Sequence, residues 1–178
     1  MSTTQPIRSK QLLHDFKEYY LTKQPNSRNY TLILIGLNTA LRINDILHLT
    51  WGDVYCTEHS RFYTHLLITE KKTEKETRIL INRELQETLL SYRKTQTSIA
   101  DTDYLFPSPR KADSPLSRYQ AYRIVRKAAE AVGIEDVIRC HSLRKTFGYH
   151  AWKMGTPPAL LMDCLLYTSP SPRDRSVS

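Results

Sequence analysis

An imidazole and a guanidinium lie three residues apart, where His141 precedes Arg144. Leu143, Phe147 and Ala151 begin an apolar repeat with helical spacing at the same point. His141 and Arg144 are therefore predicted to lie one turn apart at the start of a helix. Backbone N–H groups and the helix dipole favour negative charge there, as do both side chains. The pair indicates an anion site, although so common a spacing does not establish one alone.

A second arginine, Arg42, stands at the start of another apolar repeat. Ile43, Ile46 and Leu47 predict a short amphipathic helix, with Asp45 one turn after Arg42. A guanidinium packed beneath an apolar helix is costly unless it is hydrogen-bonded, and Asp45 is near enough to orient it. The alternative is an ion pair on a helix surface, which contributes little to stability.

The composition favours a protein with an acidic partner. The 178 residues suit one domain, and a hydrophobic content of 40% is enough for a core. The net charge of +8 and the pI near 9.4 make nucleic acid the leading candidate, and a merely basic cytosolic protein is the alternative. Cys56, Cys140 and Cys164 show neither a disulfide framework nor a metal-ligand spacing, which indicates a reducing cytosol. The N-terminus has no apolar signal core, and the run Leu32–Leu37 is too short to span a bilayer.

The elements that position these side chains are predicted to be mainly helical, after a flexible lead-in at residues 1–8. Caps, breakers and apolar periodicity define the helices, and residues 95–116 form a long connection between two of them. The predicted helices run from Ser9 to about Lys23, from Ser27 through an all-apolar centre at Leu32–Ile35, and over the short repeat after Arg42. Further helices run from Asn82 to about Tyr92, from Ser117 to Gly133, from His141 to Gly155, and onward from Thr156.

Two basic surfaces accompany these helices. Residues 63–68 and 77–81 are rich in strand-forming residues and flank a polar run, which predicts an antiparallel hairpin with a lysine-rich tip. The helix after Ser117 carries a basic face at Arg118, Arg123, Arg126 and Lys127. Lysines and arginines in such places are often only solvated, and the alternative is contact with a DNA groove or phosphate backbone.

The order of these parts resembles the catalytic domain of the tyrosine recombinase (phage integrase) family. Three motifs carry the resemblance across roughly residues 6–163: Thr39–Leu47, a lysine in a β-hairpin, and His141–Phe147. The resemblance implies an α+β, mainly α fold, the helical core of DNA breaking-rejoining enzymes with a small antiparallel sheet or hairpin. Because Pro6 leads directly into the first catalytic helix, a short form without the N-terminal core-binding domain is expected.

The family's chemistry is the cleavage and rejoining of DNA strands through a 3′-phosphotyrosyl intermediate. By resemblance, Arg42 and Arg144 hold the non-bridging oxygens of the scissile phosphate, and His141 adds a hydrogen bond and proton-transfer capacity. Lys72 is the expected general acid, preferred to its lysine neighbours although Glu74 stands where family hairpins often carry glycine. Asp45 would support Arg42, and no metal or other cofactor is expected. The expected DNA-binding residues are Lys71, Lys75, Arg118, Arg123 and Lys145.

The resemblance also implies partners and a location. The partner is double-stranded DNA, on which the full-length protein is expected to form a homo-oligomer, the synaptic tetramer, without any membrane association. A cytoplasmic protein of bacterial, phage or mobile-element origin is expected. The alternative function is a non-catalytic DNA-binding accessory module with the same fold.

The C-terminal segment departs from the family pattern after Asp163. Cys164–Asp174 can be back-translated into the transposase mosaic end and adapter of sequencing libraries. Residues 1–163 are therefore predicted to be an incomplete catalytic domain, and residues 164–178 a disordered, non-native tail; the alternative is a natural Ser/Pro/Arg-rich tail. Tyr167 is rejected as the nucleophile because it comes too early and in a proline-rich context, so the chain is predicted to be inactive.

Sequencing of the locus across codon 163 tests the predicted tail. We expect the genomic reading frame to leave the printed sequence there and to encode a His-containing turn followed by a helical tyrosine. An uninterrupted frame through the printed tail would contradict the prediction.

Overall fold

The computed structural model describes residues 3–69 and 73–159, which form seven α-helices and two antiparallel hairpins. This confirms the predicted mainly helical α+β class. In chain order the elements are α1 (Lys10–Glu18, continued by a π-helical turn at Tyr19–Lys23), α2 (Ser27–Thr39), α3 (Ile43–Leu47), α4 (Trp51–Val54), β1 (Tyr55–Cys56), β2 (Arg61–Phe62), β3 (His65–Thr69), β4 (Glu76–Leu80), α5 (Arg83–Lys94), α6 (Arg118–Ala131) and α7 (Cys140–Lys153). Pro158 and Ala159 begin the helix predicted after Thr156, and the predicted tail lies outside the described residues.

Helix α2 lies at the centre of the core. Its run Leu32–Ile35 is at most 1% exposed, as its hydrophobicity on all sides predicts. The Asn26 side chain begins the helix by accepting a hydrogen bond from the Asn29 N–H at 3.0 Å. Helices α1, α3, α5 and α7 all pack against α2. The position of α2 therefore sets the positions of most other elements.

Helices α2 and α7 pack closely together at Gly36. A Cβ atom added there would lie 2.5 Å from Leu143 Cδ1 and 3.1 Å from Leu143 Cβ. Leu143 is 1% exposed and immediately precedes Arg144, so this contact fixes the part of α7 that carries the predicted site. Phe147 and Ala151, predicted to share the face of Leu143, are only half-buried.

The hairpin predicted between residues 63 and 81 is confirmed as β3–β4, with a register from His65 opposite Leu80 to Thr69 opposite Glu76. Its base is tied to the end of α2, because Asn82 Nδ2 donates to Asn38 Oδ1 at 2.8 Å. The small β1–β2 hairpin was not predicted, since strands of two residues carry no readable alternation.

The long connection between α5 and α6 follows the prediction, as do the caps at the starts of these two helices. Leu105 and Phe106 are fully buried, and the Leu105 N–H donates to the Leu49 carbonyl at 2.9 Å. Asn82 caps α5 by accepting from the Leu85 N–H at 2.9 Å. Ser117 opens α6 with the predicted reciprocal capping box.

The predicted flexible lead-in is wrong for residues 4–8, which we call the N-terminal strap. Ile7 is 2% exposed and belongs to the core. Its N–H donates to Thr146 Oγ1 at 3.0 Å, and its carbonyl lies 2.8 Å from His150 Nε2. The segment has no periodicity that could reveal this role, and α7 supplies both contacts.

We expect overpacking against Leu143 to cost Gly36→Ala about 1–3 kcal/mol of stability. Intrinsic helix propensity favours alanine by about 1 kcal/mol, so the net loss expected is about 0–2 kcal/mol. Urea unfolding measures the difference, and Ser91→Ala on the exposed side of α5 is the control. The effects of Gly36→Ala and Leu143→Ala should be less than additive in the double variant. Additive effects, or a gain of about 1 kcal/mol in Gly36→Ala, would contradict the packing argument.

Candidate active site

One buried hydrogen bond joins the end of α2 to the start of α7. Arg144 is 6% exposed, and its Nε donates to the Ala40 carbonyl at 2.8 Å. Ala40 ends α2 in the left-handed conformation with φ of 56°, which costs an alanine about 1 kcal/mol. A buried guanidinium is costly unless it is hydrogen-bonded, so this carbonyl supplies part of what keeps Arg144 in place.

The same turn positions Arg42, which follows Ala40 by two residues. Arg42 is the exposed N-cap residue of α3, at the helix entrance where the sequence predicts it. Ile46 and Leu47 bury the opposite side of α3 and so anchor the helix. Asp45 lies half-buried in the first turn of α3, and its support of Arg42 stays a prediction.

His141 lies in the first turn of α7 and is exposed at the surface. Partial desolvation is the largest cause of its lowered pKa, and the charges of Arg144, Lys145 and Arg42 lower this pKa further. Three predicted site residues from two distant segments, Arg42, His141 and Arg144, are thus within electrostatic reach of one another. We call these three residues the clamp. A bound anion would offset the surrounding positive charge and raise the pKa of His141.

The N-terminal strap and Thr146 are functional supports that sequence reasoning missed. The buried Thr146 hydroxyl accepts from the Ile7 N–H and donates to the Ser142 carbonyl at 2.7 Å. Lys145 Nζ donates to the Thr4 carbonyl at 2.6 Å. Lys145, predicted to bind DNA, is therefore engaged with the strap, and its contact with DNA stays a prediction.

The remaining predicted residues are distributed over two elements. Arg118 and Arg123 are exposed on α6. Lys75 is exposed at the hairpin tip, next to Glu74, whose φ of 52° is a conformation that glycine adopts without strain. Lys71 and Lys72 lie outside the described residues. The role of Lys72 as general acid stays a prediction.

The arrangement can hold an anion with three cationic or polar donors. Across residues 3–69 and 73–159, no group of three His, Cys, Asp or Glu side chains is placed to hold a metal ion. None of the helices in these ranges is long and apolar enough to cross a membrane. Two guanidinium groups and an imidazole are suited to binding a phosphate diester.

Comparison with known proteins places this geometry in a family context. A profile described as "Phage integrase family" matches residues 5–172, which extends into the predicted tail. The chain is 43% identical over 171 residues to "Probable integrase/recombinase YoeC" of Bacillus subtilis (strain 168), covering 96% of this chain and 87% of YoeC.

Solved structures show the same fold. The XerA recombinase superimposes with a TM-score of 0.72 at 19% identity, over 98% of this chain and 64% of XerA. The XerH site-specific recombinase bound to its palindromic difH substrate superimposes with a TM-score of 0.71 at 20% identity, over 94% of this chain and 48% of XerH. The chain thus spans about two thirds and about half of these two recombinases.

We expect the pKa of His141 to lie below 6.5 and to rise when inorganic phosphate is added. Arg42→Ala should also raise it, because one repelling charge is removed, whereas Arg83→Ala on α5 should not. Because the folded pKa is lowered, the stabilising contribution of His141 is present above pH 6.5 and is lost as pH falls through the folded pKa. NMR titration of the imidazole measures the pKa. A value that responds to neither phosphate nor Arg42→Ala would contradict the proximity of the clamp residues.

Proposed function

We propose that this chain, which belongs to the phage integrase family, engages double-stranded DNA as a site-specific recombinase. In this proposal, its clamp holds the scissile phosphate. The buried hydrogen bond between Arg144 and the Ala40 carbonyl carries this proposal. It fixes the turn that leads into Arg42 beside the helix that carries His141 and Arg144. This supports the proposal that two arginines about a hundred positions apart in the sequence act on one phosphate.

The proposed chemistry is phosphoryl transfer without a metal ion. A nucleophilic oxygen forms a bond to phosphorus while the bond from phosphorus to the 5′ oxygen breaks. Arg42 and Arg144 stabilise the negative charge on the non-bridging oxygens, for which the planar guanidinium is suited. His141 donates a hydrogen bond to the same phosphate, and Lys72 gives a proton to the leaving 5′ oxygen.

In our proposal, this chain does not supply the nucleophile. Two tyrosines follow Arg144 in the printed sequence, Tyr149 and Tyr167. Tyr149 lies in α7 with its ring centroid 5.1 Å from that of His150 and 5.9 Å from the Arg8 guanidinium carbon. Tyr167 lies outside the described residues. We propose that neither tyrosine is the nucleophile, so that a polypeptide of this sequence binds the phosphate without forming a 3′-phosphotyrosyl bond.

The proposed DNA path includes the predicted basic surfaces. Arg118 and Arg123 on α6 and the lysines at the hairpin tip contact phosphates on either side of the clamp. The related fold of XerH bound to its DNA substrate supports this role, and assembly into a homo-oligomer on DNA is part of the proposal. A bacterial or phage cytoplasm is the proposed location, supported by the similarity to YoeC.

A second candidate function is a DNA-binding accessory module that does not cleave. It is supported by the contacts that bring the clamp residues together, taken with the prediction that Tyr167 is not a nucleophile. Both candidates require the clamp to bind DNA. They differ in whether a covalent bond to DNA can form.

We expect Arg42→Ala to weaken binding of a 20-base-pair duplex by roughly tenfold, as the loss of a charged hydrogen bond of about 1.5 kcal/mol implies. The dependence of log K on log salt should also become shallower by about 0.9, since one phosphate contact is lost. Fluorescence anisotropy at several salt concentrations measures both quantities. Arg83→Ala removes an exposed arginine from α5 and is the control. Equal effects of the two variants would remove the support for the clamp.

Denaturing electrophoresis after incubation with a pool of nicked duplexes tests the missing nucleophile. No covalent protein–DNA adduct is expected from the printed chain. An adduct that disappears in Tyr167→Phe would overturn this part of the proposal and favour an active enzyme.

A further inference from the structure

Two asparagines form a hydrogen bond between the end of α2 and the base of the β3–β4 hairpin. Asn82 Nδ2 donates to Asn38 Oδ1 at 2.8 Å, although the two residues are 44 positions apart. Asn82 comes two residues after the end of β4, and Asn38 comes four residues before Arg42. Both side chains are half-buried. The contact therefore joins the hairpin to the helix end that leads into the clamp.

The orientation of each amide is fixed by its other contacts. Asn38 Nδ2 donates to the Leu34 carbonyl at 2.8 Å and lies 3.5 Å from Glu84 Oε2. Asn82 Oδ1 accepts from the Leu85 N–H at 2.9 Å as the cap of α5. A flip of either amide would bring two like groups together and would break these bonds as well. The contact therefore has one geometry in which both side chains keep their partners.

A charged pair holds Asn38 from the other side. Glu84 lies in the first turn of α5, where the helix dipole favours a carboxylate. Its Oε1 accepts from Lys17 Nζ of α1 at 2.6 Å, and its Oε2 is the atom that faces Asn38. A partly exposed ion pair of this kind contributes little to stability. Its consequence is an oriented Asn38 amide at the place where α1, α2 and α5 meet.

The hairpin extends beyond this contact as a lever. Leu66 and Ile81 are buried at its base, whereas Lys75 lies exposed at its tip. A strand that runs from Glu76 to Ile81 spans about 20 Å. A rotation of about 10° at the base therefore moves the tip by about 3.5 Å. Displacements of about 1 Å are already enough to slow a reaction about a hundredfold, so the orientation of the base matters for any group at the tip.

We propose that Asn38 and Asn82 are positioning residues, whose hydrogen bond sets the orientation of the β3–β4 hairpin relative to the clamp. The inference rests on the proposed function, because that function places the hairpin tip and the clamp on the same DNA. Leu66 and Ile81 attach the hairpin to the core by apolar contacts, which are not directional. The bond between the asparagines supplies the direction, since hydrogen bonds weaken steeply away from their preferred angle. Both asparagines act through the hairpin and not on the phosphate itself.

Asn82→Asp removes this bond with little other change. Its carboxylate still caps α5, because aspartate and asparagine are about equally good at this position. It has no donor for Asn38 Oδ1, and the facing oxygens repel each other. Asn38→Ala removes the acceptor instead and leaves the cap untouched. Arg83→Ala changes the net charge by the same amount as Asn82→Asp, at the next residue, and is the matched control.

Residual dipolar couplings of backbone N–H groups, measured without DNA, report the orientation of the hairpin directly. In the unchanged protein and in Arg83→Ala, one alignment tensor should fit α2, α5 and β3–β4. In Asn82→Asp and Asn38→Ala, the couplings of β3–β4 should show a rotation of about 10° or a reduced magnitude, while α2 and α5 still fit one tensor. The double variant should resemble the single ones, because both changes remove the same bond. A hairpin that keeps its orientation in both single variants would overturn the proposal.

Binding of a DNA duplex tests the consequence for function. Lys75→Ala should make the dependence of log K on log salt shallower by about 0.9, since one phosphate contact is lost. In the Asn82→Asp background this effect should disappear, whereas the effect of Arg118→Ala on α6 should persist. Persistence of both effects would overturn the proposal, because the hairpin would then reach DNA without Asn82. Loss of both would also overturn it, because Asn82→Asp would then disturb more than the hairpin.

Failure of the proposed function gives a different result. If Lys75→Ala changes nothing in the unchanged protein, the hairpin tip does not contact DNA, and that part of the proposed function fails. The dipolar couplings still decide whether the two asparagines orient the hairpin, because they are measured without DNA.

Discussion

The hydrogen bond from Arg144 to the Ala40 carbonyl is the constraint on which the rest of the site depends. A guanidinium at 6% exposure requires acceptors, and the carbonyl is available because Ala40 adopts a left-handed conformation at the end of α2. That turn also determines where the chain continues into Arg42. The turn at Ala40 therefore supplies an acceptor to the buried guanidinium of Arg144 and positions Arg42. Backbone strain at Ala40 is in this way linked to the geometry of the clamp.

Helix α7 is held against this turn from two directions. Gly36 lets Leu143 approach α2 closely, and the N-terminal strap binds the next turns through Thr146 and His150. Both contacts are buried or half-buried and lie within two turns of Arg144. The strap thus connects the beginning of the described chain directly to the helix of the clamp.

The sequence predicts the parts of this fold that have local signals. The apolar centre of α2, the cap at Ser117 and the hairpin after residue 63 follow from periodicity and capping, and the structure agrees. The turn at Ala40 could not be predicted, because an alanine without a following glycine gives no indication of positive φ. The N-terminal strap could not be predicted either, because Ile7 is a single apolar residue and gives no periodic signal. Its burial depends on contacts with α7. Tertiary contacts, which no local pattern encodes, supply both features.

Helix α2 also sets the distance between the basic regions at its two ends. Its centre is buried on all sides, so the helix cannot tilt or slide without disturbing the contacts of α1, α3, α5 and α7. Arg28 stands at its beginning, and the turn leading to Arg42 stands at its end. A rigid helix of this length keeps the two regions about 18 Å apart along its axis. The position of the turn before Arg42 is therefore fixed by the core itself, independently of the hairpin tip and the exposed face of α6.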